Sequence, residues 1–349
     1  MASKSRWQIG RCLATDWRMN DLEFRTFAQG SGNVFQKQRV VLTSVWTTFM
    51  LTENQIILPD GRKLAYAEFG RPDGYPVLYF HGSPSSRLEP LLIGNDTLAQ
   101  FGLRFIAPDR PGMGLSDFQP KRGFSDWPKD VVFLADSLGL DEFSVLGLSG
   151  GGGYAAVCAA RIPERLNAAV IVSGGWRMDW PEAKDNLVFP YSLVQFLARK
   201  APFLLRLLLK GMTASSPGDP EKELAQLQKR LPPADYAAFA QQPGRVDALH
   251  RTVRESMRQG TKGPAWDMGL YTREFDFRSD EIRMPVKMFH GEQDLNVPIA
   301  LARRAAAELP NVQLVTYDNE AHLSTFCNHM DEIAQALKPS PNPLPEGVH

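Results

Sequence analysis

Cysteine is scarce in this chain: Cys12, Cys158 and Cys327 are widely spaced and odd in number. Such a set builds neither a disulfide framework nor a zinc site, and it fits a reducing compartment. Net charge is missing as well, because 39 basic residues cancel 39 acidic ones. With no clustered basic face to be seen, nucleic acid and anionic membrane are poor partners to expect. Long hydrophobic runs are also lacking. The longest mostly apolar run near the start, Val40 to Leu51, is about half of the ~20 residues that a membrane helix needs. Its threonines and the long mixed segment ahead of it fit a signal peptide poorly. The expectation is a soluble, cytoplasmic protein without stable membrane insertion that acts on a small molecule. Its oligomeric state is not legible.

Internal repeats and low-complexity tracts are absent too. What is present is 43% hydrophobic and 22% charged residues, which can build one large domain with an insertion or two ordinary ones. Residues 1–49 show no sustained period and scatter Trp7, Trp17 and Trp46 among polar residues. They are read as a poorly ordered N-terminal extension. Regular structure is expected from residue 50, with a hairpin of Asn54–Leu58 and Lys63–Phe69 around a Pro-Asp-Gly turn. Short apolar strands then alternate with helical patterns. Strands are expected at Val77–Phe80, Arg104–Ala107, Phe143–Leu146, Ala168–Val172, Val286–Phe289 and Val312–Thr316. Helices are expected at Leu91–Phe101, Trp127–Leu138, Gly150–Ala160 and Met330–Leu337. This order predicts a mostly parallel sheet covered on both faces. Between Trp176 and Ile282 only helical patterns occur (Leu193–Leu209, Glu221–Arg230, Val246–Gln259), punctuated by prolines. Residues 176–282 are therefore read as an all-helical insertion over a catalytic domain of 50–175 and 283–338, and 339–349 as a flexible tail.

The strongest chemical signal is the strand Phe143-Ser144-Val145-Leu146 running into Gly147-Leu148-Ser149-Gly150-Gly151 and a helix. A nucleophile on so tight a turn needs neighbours nearly without side chains, which Gly147 and Gly151 supply. Ser149 then stands at a helix N-terminus, where unpaired N–H groups favour developing negative charge. Its base is assigned to His322, on a loop after the last predicted strand. His81 and His290 precede glycines at strand ends and are read as supporting residues. The carboxylate that orients the base is assigned to Asp294, in the loop after Val286–Phe289, with Asp179 as its rival. The backbone N–H groups of Ser83, in His81-Gly82-Ser83-Pro84, and of Gly150 make a two-donor oxyanion hole.

The strings HGSP, DRPGMGLSD, GLSGGGG, HGEQD and EAH, in this order, resemble the α/β-hydrolase superfamily, in its single-domain serine hydrolase branch with a helical cap. The resemblance spans about residues 51–338. It implies an eight-stranded sheet, a cap after the sixth strand, and a structural rather than catalytic role for the loop from Asp109 to Ser116. It implies no metal or organic cofactor, and it does not reach a substrate. Residues 1–49 have no counterpart in it.

The resulting expectation is a serine esterase-like hydrolase with a nucleophile elbow at Ser149, which forms an acyl-enzyme on a small neutral ester. A proline-type aminopeptidase, a carbon–carbon bond hydrolase and a non-catalytic ligand-binding protein are the alternatives. An aminopeptidase would need an insertion carboxylate for the substrate ammonium, for which Glu182, Glu221, Glu223 and Asp247 are available. The Leu- and Phe-rich stretch from Leu193 to Met212 is expected to pack mostly on the catalytic domain and partly to line the mouth above Ser149. One prediction rests on sequence alone. A chain starting at Met50 should keep the melting temperature and activity of the full chain, whereas a lost fold would place the early tryptophans in the core.

Overall fold

The structure is a computed structural model that describes residues 50–213, 220–242 and 244–339. The expectations for residues 1–49 and for the tail from 340 onward lie outside this range. The hairpin opens the fold, with β1 (Leu51–Ile57) antiparallel to β2 (Lys63–Gly70). There follow β3 (Tyr75–Phe80), α1 (Asn95–Gln100), β4 (Leu103–Pro108), α2 (Trp127–Ser137), β5 (Phe143–Leu148), α3 (Gly152–Arg161) and β6 (Leu166–Val172). After seven helices come β7 (Val286–Gly291), α11 (Ile299–Glu308), β8 (Val312–Tyr317), α12 (Ser324–Asn328) and α13 (Met330–Leu337). The eight strands form one sheet in the order β1-β2-β4-β3-β5-β6-β7-β8. Only the β1–β2 and β2–β4 pairs are antiparallel.

Strand burial follows position in the sheet. Central β5 is buried at every residue, as a parallel strand covered on both faces must be, whereas edge strand β1 alternates between exposed and half-buried. The side-chain period of two divides the core. Leu78, Phe80 and Val145 pack with Trp127, Val131 and Tyr154 on one face. Val77, Tyr79 and Leu146 pack with Phe326, Ile333 and Leu337 on the other.

The segment between β6 and β7 is helical, as expected. It comprises α4 (Pro181–Asn186), α5 (Tyr191–Lys200), α6 (Pro202–Thr213), α7 (Pro220–Gln228), α8 (Pro233–Gln241), α9 (Gly244–Ser256) and α10 (Lys262–Leu270). Ala198, Leu205, Leu209, Met257, Ala265 and Met268 form a small core of its own. A second cluster sets Phe239, Val246 and Ala248 on Leu92 of the sheet domain. Two expected helices need correction. Leu193–Leu209 is two helices, because Pro202 has no N–H to give and the residue before it, Ala201, leaves the helical region. Leu91–Phe101 is stopped by Gly94 at φ 92°, which leaves a single turn over Glu89–Leu92 ahead of α1. The last helix has the expected bounds, and His329 lies between α12 and α13.

No helix among the described residues is long and apolar enough to cross a membrane. The end of the insertion is joined to the sheet domain by aromatic rings. Phe124 meets Tyr154 at 4.9 Å, Tyr271 at 5.1 Å and Phe275 at 4.5 Å between centroids. Phe124→Ala should therefore lower unfolding stability by about 3–5 kcal/mol in a denaturant titration. A loss under about 1 kcal/mol would show that these rings do not tie the two parts together.

Candidate active site

The site begins with the geometry at the end of β5. Ser149 has φ 51°, a left-handed conformation that a residue with a side chain adopts at a cost of about 1–3 kcal/mol. What enforces it is close approach. A Cβ on Gly147 would overlap the Gly151 carbonyl, and a Cβ on Gly151 would overlap the Phe80 carbonyl at the end of the neighbouring strand. The chain can turn this sharply only with glycine at both places.

Ser149, His322 and Asp294 are brought together as the sequence predicts. His322 Nε2 lies 2.9 Å from Ser149 Oγ, and His322 Nδ1 lies 2.7 Å from Asp294 Oδ2. His322 and Asp294 are buried, while Ser149 remains partly accessible. The carboxylate is held by more than the histidine. Its Oδ1 accepts the N–H groups of Asn296 (2.8 Å) and Val297 (2.9 Å), and His290 Nε2 stands 3.3 Å from Oδ2. Burial alone would raise the Asp294 pKa, but the two imidazoles win and hold it well below the usual carboxylate range. Burial likewise pulls the His322 pKa down, and the charge and hydrogen bond of Asp294 overcome it to give a net rise.

The loop bearing His322 is clamped on two sides. Ser173 Oγ donates to the His322 carbonyl at 2.8 Å. Asp235, buried on α8, accepts the N–H groups of Leu323 (2.9 Å) and Ser324 (2.7 Å). The rival acid Asp179 does not join them, since Arg177 pairs with it at 2.8 Å. Glu292 is turned away to Arg303 at 2.6 Å. Asp109 is buried against Arg87, accepting its backbone N–H and Nη1, each at 2.7 Å, in keeping with a structural loop.

Ser83 and Gly150 face one another: a Cβ on Gly150 would lie 3.1 Å from the Ser83 nitrogen. Each of the two peptides carrying these N–H groups has its carbonyl anchored on the far side. The Ser149 carbonyl accepts the Gly175 N–H at 2.6 Å. The Gly82 carbonyl accepts Arg110 Nη2 at 2.9 Å and His81 Nδ1 at 2.8 Å. His81 is neutral, because burial and then the Arg110 charge push its pKa well below the usual imidazole value. Its Nδ1–H therefore donates, and Nε2 accepts the Arg110 N–H at 3.3 Å. The N–H of Gly82 is also bound, at 2.7 Å from Glu89 Oε2, which takes the Tyr79 hydroxyl at 2.6 Å as well.

Arg110 is in turn gripped by Asp267 of α10, Nη2 to Oδ2 at 2.8 Å and Nε to Oδ1 at 3.2 Å, and Arg122 approaches the same carboxylate at 2.8 Å. Tyr271, just past α10, donates its hydroxyl to the Gly150 carbonyl. Glu89, Ser173, Asp235, Asp267 and Tyr271 were not singled out from the sequence. A buried charge in a helix leaves no motif, and Arg110 was visible only as part of a structural loop. The Ser83 hydroxyl is buried and without a hydrogen-bond partner. Among the described residues no three His, Cys, Asp or Glu side chains are grouped to hold a metal ion.

The chain belongs to the α/β-hydrolase fold family, whose model matches residues 75–327, and it is a hydrolase. It is 27% identical over 267 residues to a 2-hydroxymuconate semialdehyde hydrolase of Pseudomonas putida, covering 76% of this chain and 84% of that protein. It is 26% identical over 276 residues to a bifunctional esterase/perhydrolase of Acinetobacter calcoaceticus, covering 75% and 90%. Among solved structures, an esterase from Exiguobacterium antarcticum superposes with a TM-score of 0.58 at 18% identity, covering 82% of this chain and 97% of that one.

The imidazole titration checks the electrostatics. In NMR of labelled histidine, His322 should titrate above the ordinary value of about 6.5, and in Asp294→Asn it should titrate lower than in wild type. Burial then pulls it down, and only the more weakly acting Asp235 and Glu89 are left to oppose it. A raised folded-state pKa is a stabilising contribution that is complete below the unfolded value and lost as pH rises through the folded one. The contribution of this pair to stability should accordingly fade on the alkaline side.

Proposed function

We propose that the protein cleaves a small, neutral ester or related carbonyl compound through an acyl-enzyme on Ser149, under a cap formed by residues 176–282. The observation that supports this best is the continuous chain from Ser149 Oγ through His322 to Asp294, at 2.9 and 2.7 Å. In this reading neutral His322 takes the Ser149 proton as Oγ attacks the carbonyl carbon. The oxyanion rests on the N–H groups of Ser83 and Gly150. The imidazolium, stabilised by Asp294, returns its proton to the leaving alcohol as the carbonyl–oxygen bond breaks. Water then attacks the acyl-enzyme by the same relay and releases the acid. No cofactor is needed for these steps.

The relatives' names include a semialdehyde hydrolase and an esterase, and the same serine geometry serves ester or carbon–carbon cleavage. An aminopeptidase needs a carboxylate that is open to a substrate ammonium. Asp247 is exposed and 3.7 Å from Arg251, and the buried Glu89 beside Ser149 is already bound to Tyr79 and Gly82. Of the other candidates, Glu182 keeps Oε2 without a hydrogen-bond partner, and the side chains of Glu221 and Glu223 lie outside the described residues. The preference for esters over free-amine substrates therefore rests on the esterase among the relatives.

Ser149→Ala should abolish turnover without changing the melting temperature, and a fluorophosphonate should label wild type at Ser149 alone. Asn at 294 should cost turnover on the order of 10⁴, whereas Asn at 179 should leave it unchanged. A nitrophenyl ester series should be cleaved faster than aminoacyl anilides or vinylogous diketones. Faster prolyl anilide cleavage would promote the aminopeptidase, and intact turnover in the alanine variant would leave a binding protein on a hydrolase scaffold.

A further inference from the structure

Exposed large apolar side chains are concentrated on one hairpin of the insertion. Of the twelve such residues among those described, eight lie between 188 and 208: Val188, Phe189, Leu193, Phe196, Phe203, Leu204, Leu207 and Leu208. Helix α6 shows why packing does not absorb them. At 100° per residue, Leu205 and Leu209 share one side and are buried in the insertion's own core. Phe203, Leu204 and Leu207 fall on the opposite side with Leu208 on the flank, and Phe203 remains 66% exposed. The helix is thus apolar on two faces, and among the described residues its buried contacts lie on only one. Packing on the catalytic domain, which the composition of Leu193–Met212 led one to expect of most positions, is not what this helix shows: its buried leucines pack within the insertion.

Charge on this hairpin is one-sided. From residue 187 to 213 there is no acidic residue, but there are Arg199, Lys200, Arg206 and Lys210, all exposed. Arg206 and Lys210 border the apolar stripe of α6, and Lys200 falls on the same side of α5 as Leu193 and Phe196. The zero net charge of the whole chain conceals this local excess. We propose that the outward face of α5–α6 docks the protein reversibly on an anionic lipid bilayer, lying in the interface with its apolar side chains among the acyl chains and its cations at the headgroups. A second copy of the chain fits this face less well. Twofold pairing would bring the same cations together with no acid from the face to oppose them. The inference stands apart from the reading of the Ser149 site, and it describes surface attachment, not a membrane span.

The test is sedimentation of the full chain with phosphatidylcholine vesicles containing phosphatidylglycerol, against pure phosphatidylcholine, at low and high salt. Binding should require the anionic lipid and weaken with salt. R199Q/K200Q/R206Q should lower the partition coefficient roughly a hundredfold, at about fivefold per charge. F203D/L207D should remove binding altogether, with the melting temperature of both variants unchanged. Absence of binding to anionic vesicles at low salt would overturn the proposal, as would equal binding by wild type and R199Q/K200Q/R206Q. Should F203D/L207D fail to fold, the glutamine variant decides alone. A concentration-dependent dimer in analytical ultracentrifugation that F203D/L207D dissolves would instead assign the face to self-association and overturn the lipid reading.

Discussion

The contact between Gly151 and the Phe80 carbonyl governs much of what surrounds it. With no side chain at 151, the turn after β5 can press against the end of β3. That pressure throws Ser149 into a left-handed conformation and lifts its hydroxyl off the sheet toward His322. The same approach brings the residues after β3 within reach of Gly150, so that Ser83 and Gly150 face each other. One steric concession therefore sets both Ser149 and the two N–H groups beside it. A side chain at 151 would separate the two strand ends and misplace all three together.

Orientation of these groups is then maintained from behind. A trans peptide points its N–H opposite to its carbonyl, so anchoring the carbonyl aims the N–H. Gly175 does this for the Ser149 peptide, and Arg110 with His81 does it for the Gly82 peptide. Arg110 brings a full positive charge to that carbonyl, which polarises the peptide and strengthens its N–H as a donor. A buried guanidinium is tolerable only when paired, and the partner, Asp267, comes from the insertion. Burial tends to neutralise Asp267, yet Arg110 and Arg122 hold its pKa below the usual range.

The alternation of short apolar runs with helical patterns was enough to place every strand to within about three residues. Ser149, His322, Asp294, Ser83 and Gly150 were legible because each sits in a string whose glycines or chain order carry a steric meaning. The boundaries of helices were read less well where one residue decides them. Gly94 and Pro202 cut segments whose apolar spacing continues across the break. The supporting residues were illegible for a different reason. Asp235 and Asp267 sit in helices of unremarkable composition, and only the tertiary contacts reveal that each is buried against a loop of the site. Similarly, Leu207 and Leu205 are the same amino acid two positions apart, yet one is buried and the other exposed.

Residues of the insertion reach the loop after His322, Gly150 and Arg110. Asp235 holds the loop after His322, Tyr271 holds the Gly150 carbonyl, and Asp267 holds Arg110 behind the Gly82–Ser83 peptide. A segment between two strands of a sheet invites treatment as an exchangeable cassette, to be swapped between scaffolds in order to change what is admitted. Here the cassette and the scaffold share their wiring. A transplanted insertion without acids equivalent to 235 and 267 would leave Arg110 buried and unpaired and the histidine loop loosely tethered. Recruiting new specificity on this scaffold is therefore better done by changing side chains on the existing helices than by grafting others in their place.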